Sequence, residues 1–93
     1  MEITMKVLTT VTEVENEGFL GLLGQTVTVF ALNYIWCGKL VGVNDTQVKL
    51  ETPSIVYETG AFNTKTYKDA QKLPHDMYLR LSAIEAYGVV KES

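Results

Sequence analysis

The sequence has little of the residue types on which small proteins rely for covalent or metal-based stability. Among its 93 residues are one cysteine, one histidine and two prolines. One cysteine cannot close a disulfide within the chain, and a zinc site would need carboxylates clustered at metal-ligand spacing, which are not seen. We therefore expect neither a metal nor a cofactor. A lone cysteine is typical of a reducing compartment, so we expect a cytoplasmic protein.

Basic charge and long apolar runs are also scarce. The chain carries 8 basic and 11 acidic residues, a net charge of −3, and only one of the basic residues is Arg. This balance argues against a broad phosphate-binding surface. It does not exclude a local basic patch, such as one repeated around a ring. The longest apolar runs, such as 40-LVGV-43, are far too short to span a membrane, and the N-terminus does not resemble a secretory signal.

Hydrophobic periodicity predicts one mainly β domain over residues 1–93. Residues 1–12 alternate like an extended N-terminal arm, and a capping-box spacing at Thr12 predicts a helix over 13–23. Alternating segments then predict a three-strand meander over 26–51. A variable insert follows over 52–76, in which 62–73 has the spacing of a short helix or an ordered loop. Residues 77–90 hold the last two strands.

Five short strands in about 65 residues are best accommodated by one strongly bent, partly open small barrel with a short N-terminal helix. Bending a sheet back on itself calls for glycine where the strands bend. The segment 34-YIWCGKLVGV-43 supplies Gly38 and Gly42 at suitable positions. Cys37 lies in the same strand and is interpreted as a small buried residue, since no cationic neighbour is in sight to activate it.

The chain resembles the Sm-like small-barrel superfamily over most of residues 13–90. The similarity rests on 20-LGLLGQTVTV-29, on Trp36, Gly38 and Leu40, on 38-GKLVGVNDTQVKL-50, and on 79-LRLSAI-84, where Leu81 stands in place of the family's glycine. It is also similar to small uncharacterised proteins of phages and prophages, through 34-YIWCGKLV-41, 55-IVYETGAF-62 and 82-SAIE-85. The second similarity implies a phage origin and the cytoplasm of a host cell.

The Sm-like resemblance implies a homo-oligomeric ring of five to seven subunits, in which the fourth strand of one subunit pairs with the fifth of the next. Two unpaired edges on an open barrel are a liability unless they are matched, which agrees with that expectation. The predicted interface residues belong to the last two strands: Met77, Leu79, Leu81, Ile84, Tyr87 and Val89.

The same resemblance implies single-stranded RNA as a ligand. The family pocket uses an aromatic residue and an Asn between its second and third strands, and an Arg near its last two. Here 43-VNDTQ-47 has Asn44 and Asp45 but no aromatic residue, and the two similarities place Arg80 differently. Lys65 and Lys68 are further candidates for phosphate contacts, with a solvated face as the alternative.

Two functional hypotheses therefore stand side by side. One is a non-enzymatic ring that binds nucleic acid; the other is a structural or adaptor ring in phage assembly that binds protein. Asn44 and Asp45 are favoured as ordinary hairpin-turn residues over base-binding ones. No catalytic residues are predicted, because no nucleophile, acid–base pair or phosphate loop is recognisable.

Overall fold

The computed structural model describes residues 17–91, and the elements below lie within them. The described chain forms one short helix, six strands and one 3-10 turn. In chain order they are α1 (Gly18–Gly21), β1 (Thr26–Ala31), β2 (Ile35–Val43), β3 (Gln47–Glu58), β4 (Asp69–Lys72), β5 (Met77–Arg80), the 3-10 turn (Leu81–Ala83) and β6 (Ile84–Gly88). The protein is thus mainly β, as the sequence predicts. None of the helices in this part of the chain is long and apolar enough to cross a membrane.

All six strands belong to one antiparallel sheet that does not close. Its strand order is β4-β3-β2-β1-β6, and β5 pairs with β3 outside that path. The long strand β3 pairs with β2 along one edge. Along its other edge, the first residues, from Gln47 to Leu50, pair with β5, and the residues from Ser54 to Glu58 pair with β4. The sheet therefore has one strand more than the five expected.

The extra strand corrects the expectation for 62–73. That segment is neither a helix nor only a loop: it contains a turn at Phe62–Asn63 and then β4. The helical spacing of its apolar residues has another cause, because Tyr67 turns inward to pack on the sheet and is 7% exposed. Tertiary packing here decides the structure over local periodicity.

The predicted helix over 13–23 is observed only as the four residues Gly18–Gly21, while residues 13–16 and the arm 1–12 lie outside the described chain. Gly18 and Gly21 each favour the coil over the helix, since glycine costs about 1 kcal/mol relative to Ala inside a helix. Gly24, three residues after the end of the helix, has φ +88°, a conformation that glycine adopts without strain.

The main core lies on the concave face of the sheet. It is formed by fully or nearly fully buried side chains from four strands: Val27, Val29, Leu40, Val48, Leu50 and Leu79. Phe19 and Leu22 of the short helix segment pack against it from the open side, together with Trp36. The period-2 alternation of β1, β2 and β3 positions these residues on one face.

The opposite face is covered by the insert. A second cluster joins Cys37, Val56 and Tyr67, with Ile35 and Ala70 packed against it. The middle of the sheet is therefore buried on both faces, which explains why polar Thr28 has no exposed surface. The prediction that Cys37 is a small buried residue is confirmed, since it is 1% exposed.

The sheet bends where β2 and β3 come closest. Their register shifts between Cys37 and Lys39, and a Cβ at Gly38 would lie 2.9 Å from the Cβ of Pro53. That distance is too short for any side chain, so glycine is required at position 38. β3 continues through Pro53 beyond the predicted end of the meander at residue 51, because at this irregular point the ladder does not need the missing N–H of proline.

The neighbouring residue Thr52 carries the strain of the bend. It has φ +33°, which a β-branched residue rarely adopts. Its backbone N–H donates to Oδ1 of Asp76 at 2.9 Å, and the N–H of Leu73 donates to the Pro53 carbonyl at 2.8 Å. These bonds tie the connection between β4 and β5 to the bend, and so fix where β5 begins.

Candidate functional site

The last two strands each leave one edge open. Within residues 17–91, β5 pairs only with β3 and β6 pairs only with β1. They are joined by the single 3-10 turn Leu81–Ala83, which is anchored at both ends. The N–H of Leu81 donates to the Thr46 carbonyl at 2.8 Å, and the Ala83 carbonyl accepts from Leu32 at 3.0 Å. The two open edges are thus held in fixed positions.

Four of the six predicted interface residues lie on these strands, whereas Leu81 lies in the 3-10 turn and Val89 directly follows β6. Their side chains differ in environment. Leu79 is 6% exposed in the core, and three more pack partly buried against it: Met77, Leu81 and Ile84. Tyr87 stacks on Phe19 of the same chain with ring centroids 3.6 Å apart. Val89 is 59% exposed. Side chains therefore mostly serve the fold here, and it is the backbone edges that stay open.

Asn44 is used by the turn between β2 and β3. Its Oδ1 accepts from the backbone N–H of Thr46 at 2.9 Å, from the Thr46 hydroxyl at 3.2 Å, and from the N–H of Gln47 at 3.0 Å. This is an Asx-type turn, in which the side chain replaces a backbone acceptor. The interpretation of Asn44 as a hairpin-turn residue is confirmed.

Asp45 and Arg80 are brought to one place. They line a shallow depression of about 440 Å³ between the β2–β3 turn and the 3-10 turn, completed by Thr46, Gln47, Leu81 and Ser82. Among the residues that the structure describes, Arg80 forms no ion pair or hydrogen bond through its guanidinium. The depression offers one free cation and several hydrogen-bonding groups, but no aromatic ring on which a base could stack.

Lys65 and Lys68 lie elsewhere. Lys68 pairs with Glu58 at 3.3 Å, at the far end of β3 from the residue that faces Arg80, and Lys65 is exposed in the preceding loop. Both ammonium groups are open to solvent, where such a pair contributes little. The five predicted ligand residues thus fall into two separate groups.

A second concavity lies on the other side of Arg80, and sequence reasoning missed it. It is a groove of about 510 Å³ between the β1–β2 turn and the last two strands. Its aromatic lining comes from Tyr34, Trp36 and Tyr78, and Tyr34 meets Trp36 edge-to-face at 5.9 Å. The three aromatic residues cannot be recognised as one cluster in the sequence, because Tyr78 is far from the other two. Only the short spacing of Tyr34 and Trp36 indicates part of the cluster.

The groove follows the open edge of β5. Three consecutive residues of that strand line it, namely Tyr78, Leu79 and Arg80, although successive side chains of a strand point to opposite faces. Only the edge of a strand meets both faces at once. Leu32 is 68% exposed, Tyr34 54% and Tyr78 60%, so this edge has the apolar surface typical of contact sites.

Lys91 is a further residue that sequence reasoning missed. It is 7% exposed, and its ammonium donates to the Ala61 carbonyl at 2.7 Å and to the Thr64 hydroxyl at 3.0 Å. The same group lies 4.8 Å from the ring centroid of Tyr67. Its own carbonyl accepts from Cys37 Sγ at 3.4 Å. Lys91 therefore holds the insert against the back of the sheet.

No group in the described chain is set up for metal binding: residues 17–91 contain no cluster of three or more His, Cys, Asp or Glu side chains. No protein-family model matches the chain, and no curated protein is significantly similar to it. The features with a bearing on function are therefore the open edges and the two concavities.

Proposed function

We propose that the protein is a non-enzymatic, ring-forming Sm-like protein that assembles through β5 and β6. The connectivity supports this proposal. The first strand lies between the second and the last, and the third lies between the second and the penultimate, so that β5 and β6 end one five-stranded open path. In this interpretation β4 is an addition carried by the insert between β3 and β5.

The observation that carries the proposal is the contrast between the open edges. The edge of β4 is blunted, because three of its four residues, Asp69, Gln71 and Lys72, are polar and exposed, and two of them are charged. Short, charged edges are a common protection against unwanted pairing. The sequences MYLR of β5 and IEAYG of β6 have one charge each and no proline, so their open edges are left available for a partner.

The two edges belong to different surfaces of the same subunit, so pairing between them is head-to-tail. A head-to-tail contact generates a closed ring when the rotation from one subunit to the next divides a full turn. Five to seven subunits is the expectation from the Sm-like resemblance. Closure would leave none of these edges unpaired.

We test assembly by light scattering coupled to gel filtration over a range of concentrations. The proposal expects a mass of five to seven times the chain mass of 10.4 kDa. A mass of one chain throughout the concentration range contradicts it.

Single-stranded RNA is the first candidate ligand for the ring. The depression between Asp45 and Arg80 supports it, since an unpaired guanidinium is well suited to a phosphate. A ring repeats that group once per subunit, which compensates in part for the few basic residues of the chain. The site would bind the phosphate backbone of the RNA and would not provide a ring on which bases stack.

A partner protein is the second candidate, corresponding to an adaptor ring in phage assembly. The absence of an aromatic ring from the lining of that depression favours it, as does the presence of Asp45 beside Arg80. The net charge of −3 also opposes a polyanion.

A gel shift with short oligo-U and oligo-A RNA at two salt concentrations separates the candidates. RNA binding predicts a shift that weakens steeply as salt rises. Arg80→Gln should abolish the shift, while Lys65→Gln, remote from the depression, should leave it intact. No shift at low salt retires the RNA candidate and leaves the protein-binding ring.

A further inference from the structure

We propose that the ring contact has a single register, in which Leu79 of one copy lies opposite Tyr87 of the next. Antiparallel pairing then sets Arg80 opposite Ala86, Tyr78 opposite Gly88, and Met77 opposite Val89. The inference rests on the ring proposed above, and it names the residues that each subunit offers its neighbour.

The face of the sheet to which each side chain points restricts the register. Leu79 points to the core, where it pairs with the buried Val48. Tyr87 pairs within its own chain with the buried Val29, so it lies on the same concave face. A sheet that continues from one subunit into the next must align concave-facing residues with each other.

A shift of one residue is excluded by the same rule. It would align Leu79 with Ala86 or Gly88, which lie on the convex face, and so reverse the facing of the whole added strand. The exposed Tyr78 and Arg80 would then line up with concave-facing residues of the neighbour.

Shifts of two residues keep the facing but meet other obstacles. One direction sets Leu79 opposite Glu85, the extra residue of the β-bulge in β6, where the strand cannot continue a regular ladder. The other sets Lys91 opposite Met77, but the side chain of Lys91 is already held by Ala61 and Thr64 at the back of the sheet.

In the proposed register, side chains directly opposite each other also complement one another in size. A Cβ built on Gly88 meets nothing within 4 Å, so the open backbone there can be covered by the ring of Tyr78, which is 60% exposed. An aromatic ring across a glycine is a known stabilising pair at strand edges. Met77 would meet Val89, which is 59% exposed.

The aromatic groove supports a strand as the occupant. It follows the open edge of β5, and the only charged side chain in its lining is that of Arg80. A neighbouring β6 laid along β5 would cover the exposed rings of Tyr34 and Tyr78. We therefore assign the groove to a second copy of this chain.

Cysteine cross-linking tests the register. Directly opposite residues bring their Cβ atoms to about 5 Å, close to what a disulfide needs. The double variant Arg80→Cys with Ala86→Cys changes two exposed positions, so the fold should persist. Mild oxidation with oxidised glutathione should give a disulfide-linked series of oligomers on a non-reducing gel, reaching the full ring.

The matched control is Arg80→Cys with Gly88→Cys, which would link only after a slip of two residues; within one chain a cysteine at 88 has free space around it. The single variants report any linkage through the buried Cys37. Light scattering on the same samples shows whether a ring forms at all, independently of the register within it. A ring that links through the control pair, or through neither pair, overturns the register alone. Single chains overturn both.

Discussion

Thr28 and Tyr67 form a hydrogen bond that joins the insert to the first strand. Their oxygens are 2.6 Å apart, and Thr28 is completely buried. Tyr67→Phe leaves the Thr28 hydroxyl buried without its partner, which costs about 1–3 kcal/mol. We expect urea unfolding to show that loss for Tyr67→Phe and a similar loss for Thr28→Val.

The double variant is the control for this pair. Because it removes both polar groups, its loss of stability should be clearly smaller than the sum of the two single losses. Strict additivity would show that the two hydroxyls are not energetically coupled.

Tyr67 also gives the fold a dependence on alkaline pH. Burial raises the pKa of its phenol above the ordinary value of 10.0; the hydrogen bond with Thr28 lowers it, and the nearby Cys37 raises it. As pH rises, the unfolded chain therefore loses the phenol proton of Tyr67 before the folded chain does. The contribution of Tyr67 is fully present below about pH 10 and is lost as pH rises through the folded pKa.

Unfolding curves measured in steps from neutral to alkaline pH check this sign. Wild type should lose stability above about pH 10 more steeply than Tyr67→Phe, because the variant lacks the shifted phenol. Parallel declines of the two proteins would contradict the assignment.

At the scale of single residues, sequence reasoning predicted the burial of Cys37 and the turn role of Asn44. Both follow from local chemistry: an apolar strand around a small thiol, and a side chain that bonds its own backbone. The role of Lys91 could not be predicted in this way. Its amine is satisfied by Ala61 and Thr64, thirty and twenty-seven residues earlier.

At the scale of the elements, the two glycines that the sequence predicts as bend points, Gly38 and Gly42, differ in their surroundings. A Cβ at Gly38 would collide with Pro53 at 2.9 Å, whereas one at Gly42 would meet Lys49 Cβ at an ordinary 3.5 Å. We expect Gly38→Ala to destabilise the fold by about 1–3 kcal/mol. Thermal and urea unfolding measure this.

Gly42→Ala is the matched control in the same strand. It should be neutral or stabilise by about 0.4–1 kcal/mol, because Ala restricts the unfolded chain. Equal losses for the two variants would mean that the close contact with Pro53 does not decide the shape of β2.

The meander was predictable because its strands alternate with period 2 and are separated by clear turn residues. The strand Asp69–Lys72 was not, because its polar, exposed sequence DAQK has no such alternation and pairs only at an edge. The continuity of β3 through Pro53 was hidden for a different reason. It depends on Gly38, fifteen positions earlier on the neighbouring strand.

On the scale of the whole molecule, the open edges of β5 and β6 are the feature on which the proposed assembly depends. The sequence located both strands, because each is a short apolar run near the C-terminal end. It could not reveal the groove beside them, since Tyr34 and Trp36 are separated from Tyr78 by more than forty residues. Of the candidate ligand residues, Lys65 and Lys68 lie apart from Arg80, and the sequence alone did not show how far apart.

The proposed register predicts opposite effects for two charges at one exposed position. Ala86→Arg would set an arginine opposite Arg80 of the neighbour, and like charges directly opposite destabilise strand pairing. Ala86→Glu would set a carboxylate there instead and should preserve the ring. Both variants should keep the secondary structure of the wild type by circular dichroism, because Ala86 is exposed.

Native mass spectrometry of the wild type beside Ala86→Arg and Ala86→Glu is the most direct test that the chain assembles through these edges. The account predicts one species of five to seven chains for the wild type and for Ala86→Glu, and mostly single chains for Ala86→Arg. Single chains in the wild-type spectrum, or an Ala86→Arg ring as stable as that of the wild type, would contradict it.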